Sequence, residues 1–379
     1  MKLLFVHDHK FRRVNGRVFS PGGLPDEVLC RYKRAFGEVC VIGRILEESS
    51  VLPGYQEIVS SGLNVHTADK MKELMQDCDG VIARLPSLNG YRAVCLAMKM
   101  GKPWLVEAVG CAWDAFWNHS LLGKLAALPA WAFMRFCLAR APFAVYVTRE
   151  FLQRRYPCPG QCTSISDVMI QTQSSPVHAV HKARLADKER PLILGTAASI
   201  NVAYKGQEYV LRALVELERR LGRPVEYQLV GQGSPERLLR LSRKLGVEDR
   251  VRVLGCLSHE QVFDWMDGLD IYVQPSLVEG LCRSLVEAMG RGLPCVASSV
   301  GGNVELLDSD FLYSVRPVHG MEHRFADCVC RLEDRLAEQG EHNYHKAMTD
   351  YRPDVLERRR DAFYAQFADA MRAAIHDRT

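Results

Sequence analysis

The sequence predicts an α/β protein made of two Rossmann-like domains in tandem, each a parallel sheet with helices on both faces. Three observations carry this. The chain has 379 residues, more than one hydrophobic core usually organises. From Pro191 onward, short apolar runs alternate with helix-period segments, which is the pattern of βαβ units. Residues 1–170 show the same alternation in a looser form.

In the first half, strands are expected at 2–7, 38–42, 79–83, 103–107 and 143–147, with helices between them. In the second half, the apolar runs Leu192 to Leu194, Tyr227 to Val230, Val251 to Leu254, Ile271 to Val273 and Cys295 to Ala297 read as strands. Helices are expected at 206–221, 235–245, 259–268 and 284–291. Residues 171–190 are polar, lack a sustained apolar face and are expected to contain the interdomain connection. Val355, Leu356, Phe363, Phe367, Met371 and Ile375 recur near helical spacing, which predicts a terminal helix. The expected organisation is therefore a domain over 1–175, a second over 190–350, and a helix over 354–379 available to pack back on the first.

Composition narrows the function classes. With 47% hydrophobic and 25% charged residues the chain is that of a soluble globular protein. A net charge of +4 argues against nucleic acid as the main partner, although residues 1–180 carry 21 Lys+Arg against 15 Asp+Glu. Thirteen cysteines without four-ligand zinc spacing suggest reduced thiols in a cytoplasmic protein. The first ten residues are too soon charged for a signal peptide and read as a strand. No apolar run approaches the roughly 18 residues that span a bilayer, so any membrane relation is expected to be peripheral. Residues 115–149 contain no acid, the bases Lys124, Arg135, Arg140 and Arg149, and aromatics including Trp117, Trp131, Phe133 and Phe136. Basic aromatic helices can lie in a membrane interface; packing within the first domain explains the same residues.

The second half carries the chemistry. Open α/β sheets bind ligands beyond the carboxyl ends of their strands. A nucleoside diphosphate there needs backbone N–H donors at helix starts and at least one cation. Gly195, Gly231, Gly233, Gly280, Gly301 and Gly302 allow close backbone approach, and Lys205 is the natural cation. Ionised carboxylates clamp neighbouring sugar hydroxyls, and Glu279 and Glu287 are placed to do so. Glu287 also completes Ser284-x-x-Glu287, a helix capping box with no functional implication.

Taken in order, Lys205-Gly206, Gly231-x-Gly233, Pro275-Ser276-x-x-Glu279-Gly280, Glu287-Ala288-Met289, Gly292-x-Pro294 and Gly301-Gly302-x-x-Glu305 resemble the donor-binding core of the retaining, nucleotide-sugar-dependent glycosyltransferases of the GT-B fold, glycosyltransferase family 4. The resemblance covers about residues 191–307. It implies two Rossmann-like domains facing across a cleft, a nucleoside diphosphate sugar as donor, and neither metal nor other cofactor. It implies that Glu279 contacts the donor sugar's hydroxyls, Glu287 the ribose hydroxyls and Lys205 the diphosphate, with Gly280, Leu281, Cys282 and Arg283 also at the donor.

Upstream, Pro21-Gly22-Gly23-Leu24 resembles the amino-domain glycine loop that faces the diphosphate, with Gly22 and Gly23 in contact. Gly110 to His119 offers acceptor-side groups, Asp114 and His119 among them. One departure stands out: family members usually carry an arginine shortly before the lysine, and Thr196 to Ala203 contains none. The expected reaction is transfer of a sugar to a glycan or lipid-linked glycan in polysaccharide, lipopolysaccharide or glycoconjugate synthesis. A sugar-nucleotide epimerase, a phosphorylase and a non-catalytic sugar-nucleotide-binding subunit are the alternatives.

Overall fold

The computed structural model describes residues 1–52, 54–118, 121–168, 170 and 184–376. The chain forms two compact units: Met1–Ile165 together with the chain from Glu357 onward, and Ser166–Leu356. The first unit thus closes at Ile165, short of residue 175, and takes back the end of the chain.

The sheet of the first unit holds nine strands: β1 (Lys2–Val14), β2 (Arg17–Ser20), β3 (Glu38–Glu47), β4 (Gln56–Glu57), β5 (Leu63–His66), β6 (Gly80–Leu85), β7 (Trp104–Ala108), β8 (Phe143–Tyr146) and β9 (Gln161–Ser164). Its parallel part runs β5-β3-β1-β6-β7-β8-β9. Leu3, Leu4, Phe5 and Val6 are all fully buried, as expected of a strand covered on both faces.

β1 is longer than residues 2–7. Its register against β3 shifts after Val6 and resumes at Lys10. The strand then turns through Asn15 (φ 49°) and Gly16 (φ 79°) into antiparallel β2, the two-residue Asn-Gly hairpin that a right-handed strand twist favours. Gly22 and Gly23 therefore follow a hairpin, not the first parallel strand.

Among the described residues six helices accompany this sheet before the chain leaves the unit: α1 (Asp26–Phe36), α2 (Met71–Asp77), α3 (Leu88–Met100), α4 (Ala112–Trp117), α5 (Leu121–Leu138) and α6 (Phe151–Arg155). Among the described residues no helix is long and apolar enough to cross a membrane.

The second unit has a six-stranded parallel sheet built from β10 (Leu192–Ala197), β11 (Val225–Val230), β12 (Val251–Gly255), β13 (Ile271–Gln274), β14 (Cys295–Ser298) and β15 (Leu312–Tyr313). The strands lie in the order β12-β11-β10-β13-β14-β15. Counted within the unit this is 3-2-1-4-5-6, the doubly wound order, and its direction reverses between β10 and β13. Around it lie α7 (Gln207–Leu221), α8 (Glu236–Leu245), α9 (His259–Asp267), α10 (Arg283–Gly290), α11 (Asn303–Leu306), α12 (Met321–Leu332) and α13 (Leu336–Asp350). α7 buries Val210, Leu211, Leu214 and Leu217, a stripe at helical spacing that faces the core.

The last helix, α14 (Pro353–His376), completes the first unit. Phe367 packs against Phe36 and Phe143 at centroid distances of 5.8 and 5.3 Å. Glu107, buried at the end of β7, accepts hydrogen bonds from Tyr32 (2.9 Å), Tyr364 of α14 (2.6 Å) and Arg84 (3.2 Å). A carboxyl group buried this deeply is tolerable only with such a set of partners.

Candidate active site

Two loops leave the carboxyl edge of the second sheet side by side at the switch point. After β10 the chain passes through a single 3-10 turn, Ala203–Lys205, into α7. After β13 it runs from Pro275 to Cys282 and enters α10. The Leu277 N–H donates to the Tyr204 carbonyl at 2.7 Å and ties the loops together. Their approach admits no side chain at Gly206: its φ is +76°, and a Cβ there would stand 1.9 Å from the Pro275 carbonyl oxygen.

This packing brings Lys205 Nζ to within 2.7 Å of Glu279 Oε1. The same oxygen accepts from Gln274 Nε2 at 3.0 Å. Gln274 is fully buried, donates also to Ser276 Oγ at 2.8 Å and accepts from the Tyr272 hydroxyl at 3.0 Å. The lysine and glutamate side chains are 22% and 10% exposed. Burial works against the ammonium, but the adjacent Glu279 carboxylate outweighs it and the pKa of Lys205 lies above its ordinary value. The site therefore presents a fixed positive charge beside a carboxylate whose other oxygen has no partner among the described residues.

The glycines at these loops also serve packing between the loops themselves. A Cβ at Gly231 would fall 2.0 Å from the Ala198 carbonyl oxygen, and one at Gly233 would fall 2.4 Å from Asn201 Oδ1. Both let the loop after β11 pack on the loop after β10. A Cβ at Gly301 would fall 2.0 Å from the Glu279 carbonyl oxygen, and the Gly302 N–H donates to the Gly280 carbonyl at 2.5 Å. Packing between these loops by itself requires glycine at 231, 233 and 301.

α10 begins at Arg283 with Cys282 as its N-cap, so Ser284 is inside the helix and the capping box expected of Ser284 and Glu287 does not form. Glu287 instead faces His259, Oε1 to Nε2 at 3.9 Å. The facing Glu287 side chain raises the His259 pKa. Leu281 is half-buried, Cys282 is buried with its thiol pushed up to about 12 by burial, and Arg283 is exposed at the first position of α10.

Other expected residues lie in the first unit. Asp114, in α4, pairs with Arg155 at 3.5 Å. His119 lies outside the described residues. Gly22 accepts from the Ser20 hydroxyl at 2.9 Å, and Ser20 Oγ lies 2.9 Å from His9 Nε2. Burial, with Arg84 and Arg12 nearby, lowers the His9 pKa to about 4, so its ring is neutral at physiological pH.

Sequence reasoning missed Gln274, whose signal was an amide closing an otherwise apolar strand. It also missed Gln207 and Asn303, each with a buried side-chain oxygen that has no hydrogen-bond partner among the described residues. Such orphaned acceptors are uncommon in interiors and suit a site that receives a donor from elsewhere.

A family model described as glycosyl transferases group 1 matches residues 191–334, the span that carries these loops. Protein CapJ from Staphylococcus aureus is similar to this chain over 342 residues at 30% identity, covering 84% of each. The chain belongs to the group 1 glycosyltransferases. Among solved structures, HepE from Anabaena in complex with UDP resembles this glycosyltransferase with a TM-score of 0.64 at 17% identity, over 95% of this chain and 98% of HepE. Sucrose-phosphate synthase from Thermosynechococcus elongatus gives 0.67 at 16% identity, over 98% and 100%. The fold is the GT-B fold anticipated from the sequence, α/β with two Rossmann-like domains.

Proposed function

We propose that this glycosyltransferase is a family 4 enzyme that moves a sugar from a nucleoside diphosphate sugar to a hydroxyl of a glycan or lipid-linked glycan, with retention of anomeric configuration. The observation that carries the reading is the Lys205–Glu279 pair at the switch point of the second sheet. The UDP held by HepE supports a nucleotide donor.

In this reaction the bond from the anomeric carbon to the phosphate oxygen breaks and its electron pair leaves on the diphosphate. The acceptor oxygen bonds the anomeric carbon, and its proton passes to the departing phosphate. Negative charge grows on the leaving group, and preorganised positive charge there is usually the largest catalytic term. Lys205 supplies it, with Arg283 as the nearest substitute for the arginine that Thr196 to Ala203 lacks, and the reading gives no part to a metal. Glu279 and Glu287 hold sugar and ribose hydroxyls, while Asp114, His119, Gly22 and Gly23 belong to acceptor or diphosphate recognition.

All thirteen cysteines stand as free thiols, which supports a reducing, cytoplasmic location. The exposed leucines of α5 support peripheral membrane contact through residues 115–149. Glycan, lipopolysaccharide or other glycoconjugate synthesis is the pathway class this reaction serves.

The test is a thermal-shift panel of nucleoside diphosphates and their sugar conjugates, since a site ligand at 100 times its Kd stabilises by about 2.7 kcal/mol. A base-selective shift in the wild type that disappears in folded Lys205→Ala is expected. No shift with any nucleotide, or a transfer product of inverted anomeric configuration by NMR, overturns the reading.

A further inference from the structure

The first unit contains a groove of about 1050 Å3 between α3 and α5 that the donor site does not use. Its walls are apolar, with Met71, Tyr91, Leu96, Pro129 and Phe133 among them. Four cations border it: Arg44, Lys72, Arg92 and Lys99. Two carboxylates share the rim, and among the described residues only Asp8 is paired with a cation, so four cations stand against two acids there. Asp8 caps α3, accepting from the N–H groups of Leu88 (2.6 Å) and Asn89 (3.2 Å), and pairs with Arg44 at 3.4 Å. Asp69 accepts from the Thr67 hydroxyl. Lys72, Arg92 and Lys99 are exposed and have no ion-pair or hydrogen-bond partner among the described residues. Arg92 and Lys99 stand two helical turns apart on one face of α3, so their charges converge on the same strip of the groove.

Two further observations bear on the occupant. Tyr91 is 6% exposed and lines the groove, yet its hydroxyl has no hydrogen-bond partner among the described residues. α5, whose Pro129 and Phe133 form one wall, also carries Leu122 and Leu125 at 78% exposure and Leu128 at 59%. Soluble surfaces seldom leave such a run of leucines open unless they meet an apolar partner. An aqueous sugar has no use for an apolar trough with an exposed leucine strip beside it, and a neutral hydrocarbon has no use for three unpaired cations.

We propose that the groove binds a lipid phosphate: its hydrocarbon chain lies along the apolar walls and its phosphate against Lys72, Arg92 and Lys99. The leucine strip of α5 rests in the membrane from which the lipid comes. This rests on the transfer reading only in that it makes the lipid phosphate the carrier of the acceptor glycan.

The experiment is isothermal titration of the full chain with farnesyl phosphate below its aggregation threshold, with farnesol and inorganic phosphate as separate arms. Farnesyl phosphate is expected to bind at least tenfold tighter than either. Arg92→Glu with Lys99→Glu, at exposed positions that leave the fold intact, is expected to weaken it at least tenfold, as is Ala130→Trp, which fills the groove. Binding that ignores the charge reversal, or that is no tighter than for inorganic phosphate, overturns the proposal. So does a concentration-dependent dimer broken by Leu122→Asp in a protein that takes up no farnesyl phosphate, because the strip then serves a second copy. Nucleotide binding by the same samples separates the two readings: lipid phosphate uptake without nucleotide binding sinks the donor site alone, and the converse sinks the groove alone.

Discussion

Replacing Lys205 with alanine is the perturbation whose size the structure fixes best. The Glu279 carboxylate is left 10% exposed with one remaining donor, Gln274 at 3.0 Å. Breaking a buried ion pair by removing one partner costs roughly 3 to 5 kcal/mol, because the survivor keeps its desolvation penalty. Here the lysine retains 22% exposure and Gln274 still donates, so about 2 to 3 kcal/mol is expected. For a unit of this size that lowers the melting temperature by about 5 to 10 °C.

Calorimetry without nucleotide should show the change in the transition of the second unit and leave the first unmoved. Glu279→Gln should destabilise in the same direction by stranding the ammonium. Lys205→Ala combined with Glu279→Gln should recover most of the loss, since replacing both charges removes the unpaired survivor. The double-mutant cycle should therefore show coupling of at least about 1.5 kcal/mol. Simple additivity, or a Lys205→Ala protein within about 0.5 kcal/mol of wild type, would refute the argument from burial.

Gly206→Ala must both hold a left-handed residue and displace the Pro275 carbonyl, so a loss above about 2 kcal/mol is expected with a more than tenfold drop in nucleotide affinity. Gly222→Ala is the control: it has φ +67° with nothing within 4 Å and should lose only about 1 kcal/mol, with nucleotide binding unchanged. The His9 pKa, depressed from 6.5 to about 4, means that below pH 6.5 the unfolded chain binds the proton more readily than the folded one. Stability tied to this group is present above about pH 6.5 and declines toward pH 4, by about 1 to 2 kcal/mol after allowance for partial exposure. Urea unfolding at pH 7 and 4.5 should show a smaller difference in His9→Gln than in wild type; an equal difference would refute the assignment.

Much of this fold was legible because βαβ periodicity is local. The strand read at Tyr227 to Val230 and the helix read at 206–221 follow from apolar spacing alone and lie within Val225–Val230 and one residue of Gln207–Leu221. The Lys205 and Glu279 motifs pointed to one site because strand ends in a doubly wound sheet converge. What the sequence hid was set by contacts across many residues. β1 continues past residue 7 because a shifted register against β3 keeps the mostly polar residues 8–13 in the sheet, with Phe11 buried among them. Ser284 has the spacing of a cap, but the helix starts one residue before it, with Cys282 already in the capping position. Glu287 was thereby left to His259, a partner on another helix that no local pattern could name. The glycines were read as allowing close backbone approach to phosphate; that Gly231, Gly233 and Gly301 also let neighbouring loops pack was set by contacts no local pattern names.

The return of α14 to the first unit also sets an order of events during synthesis. The core of that unit lacks Phe367 and Met371, and Glu107 lacks one of its two tyrosine donors, until residues 353–376 have left the ribosome. The second unit is contiguous from Ser166 to Leu356 and has all its strands by Tyr313. The half of the chain made second is therefore the half that can close first, while the earlier sheet waits with an apolar face open to chaperones.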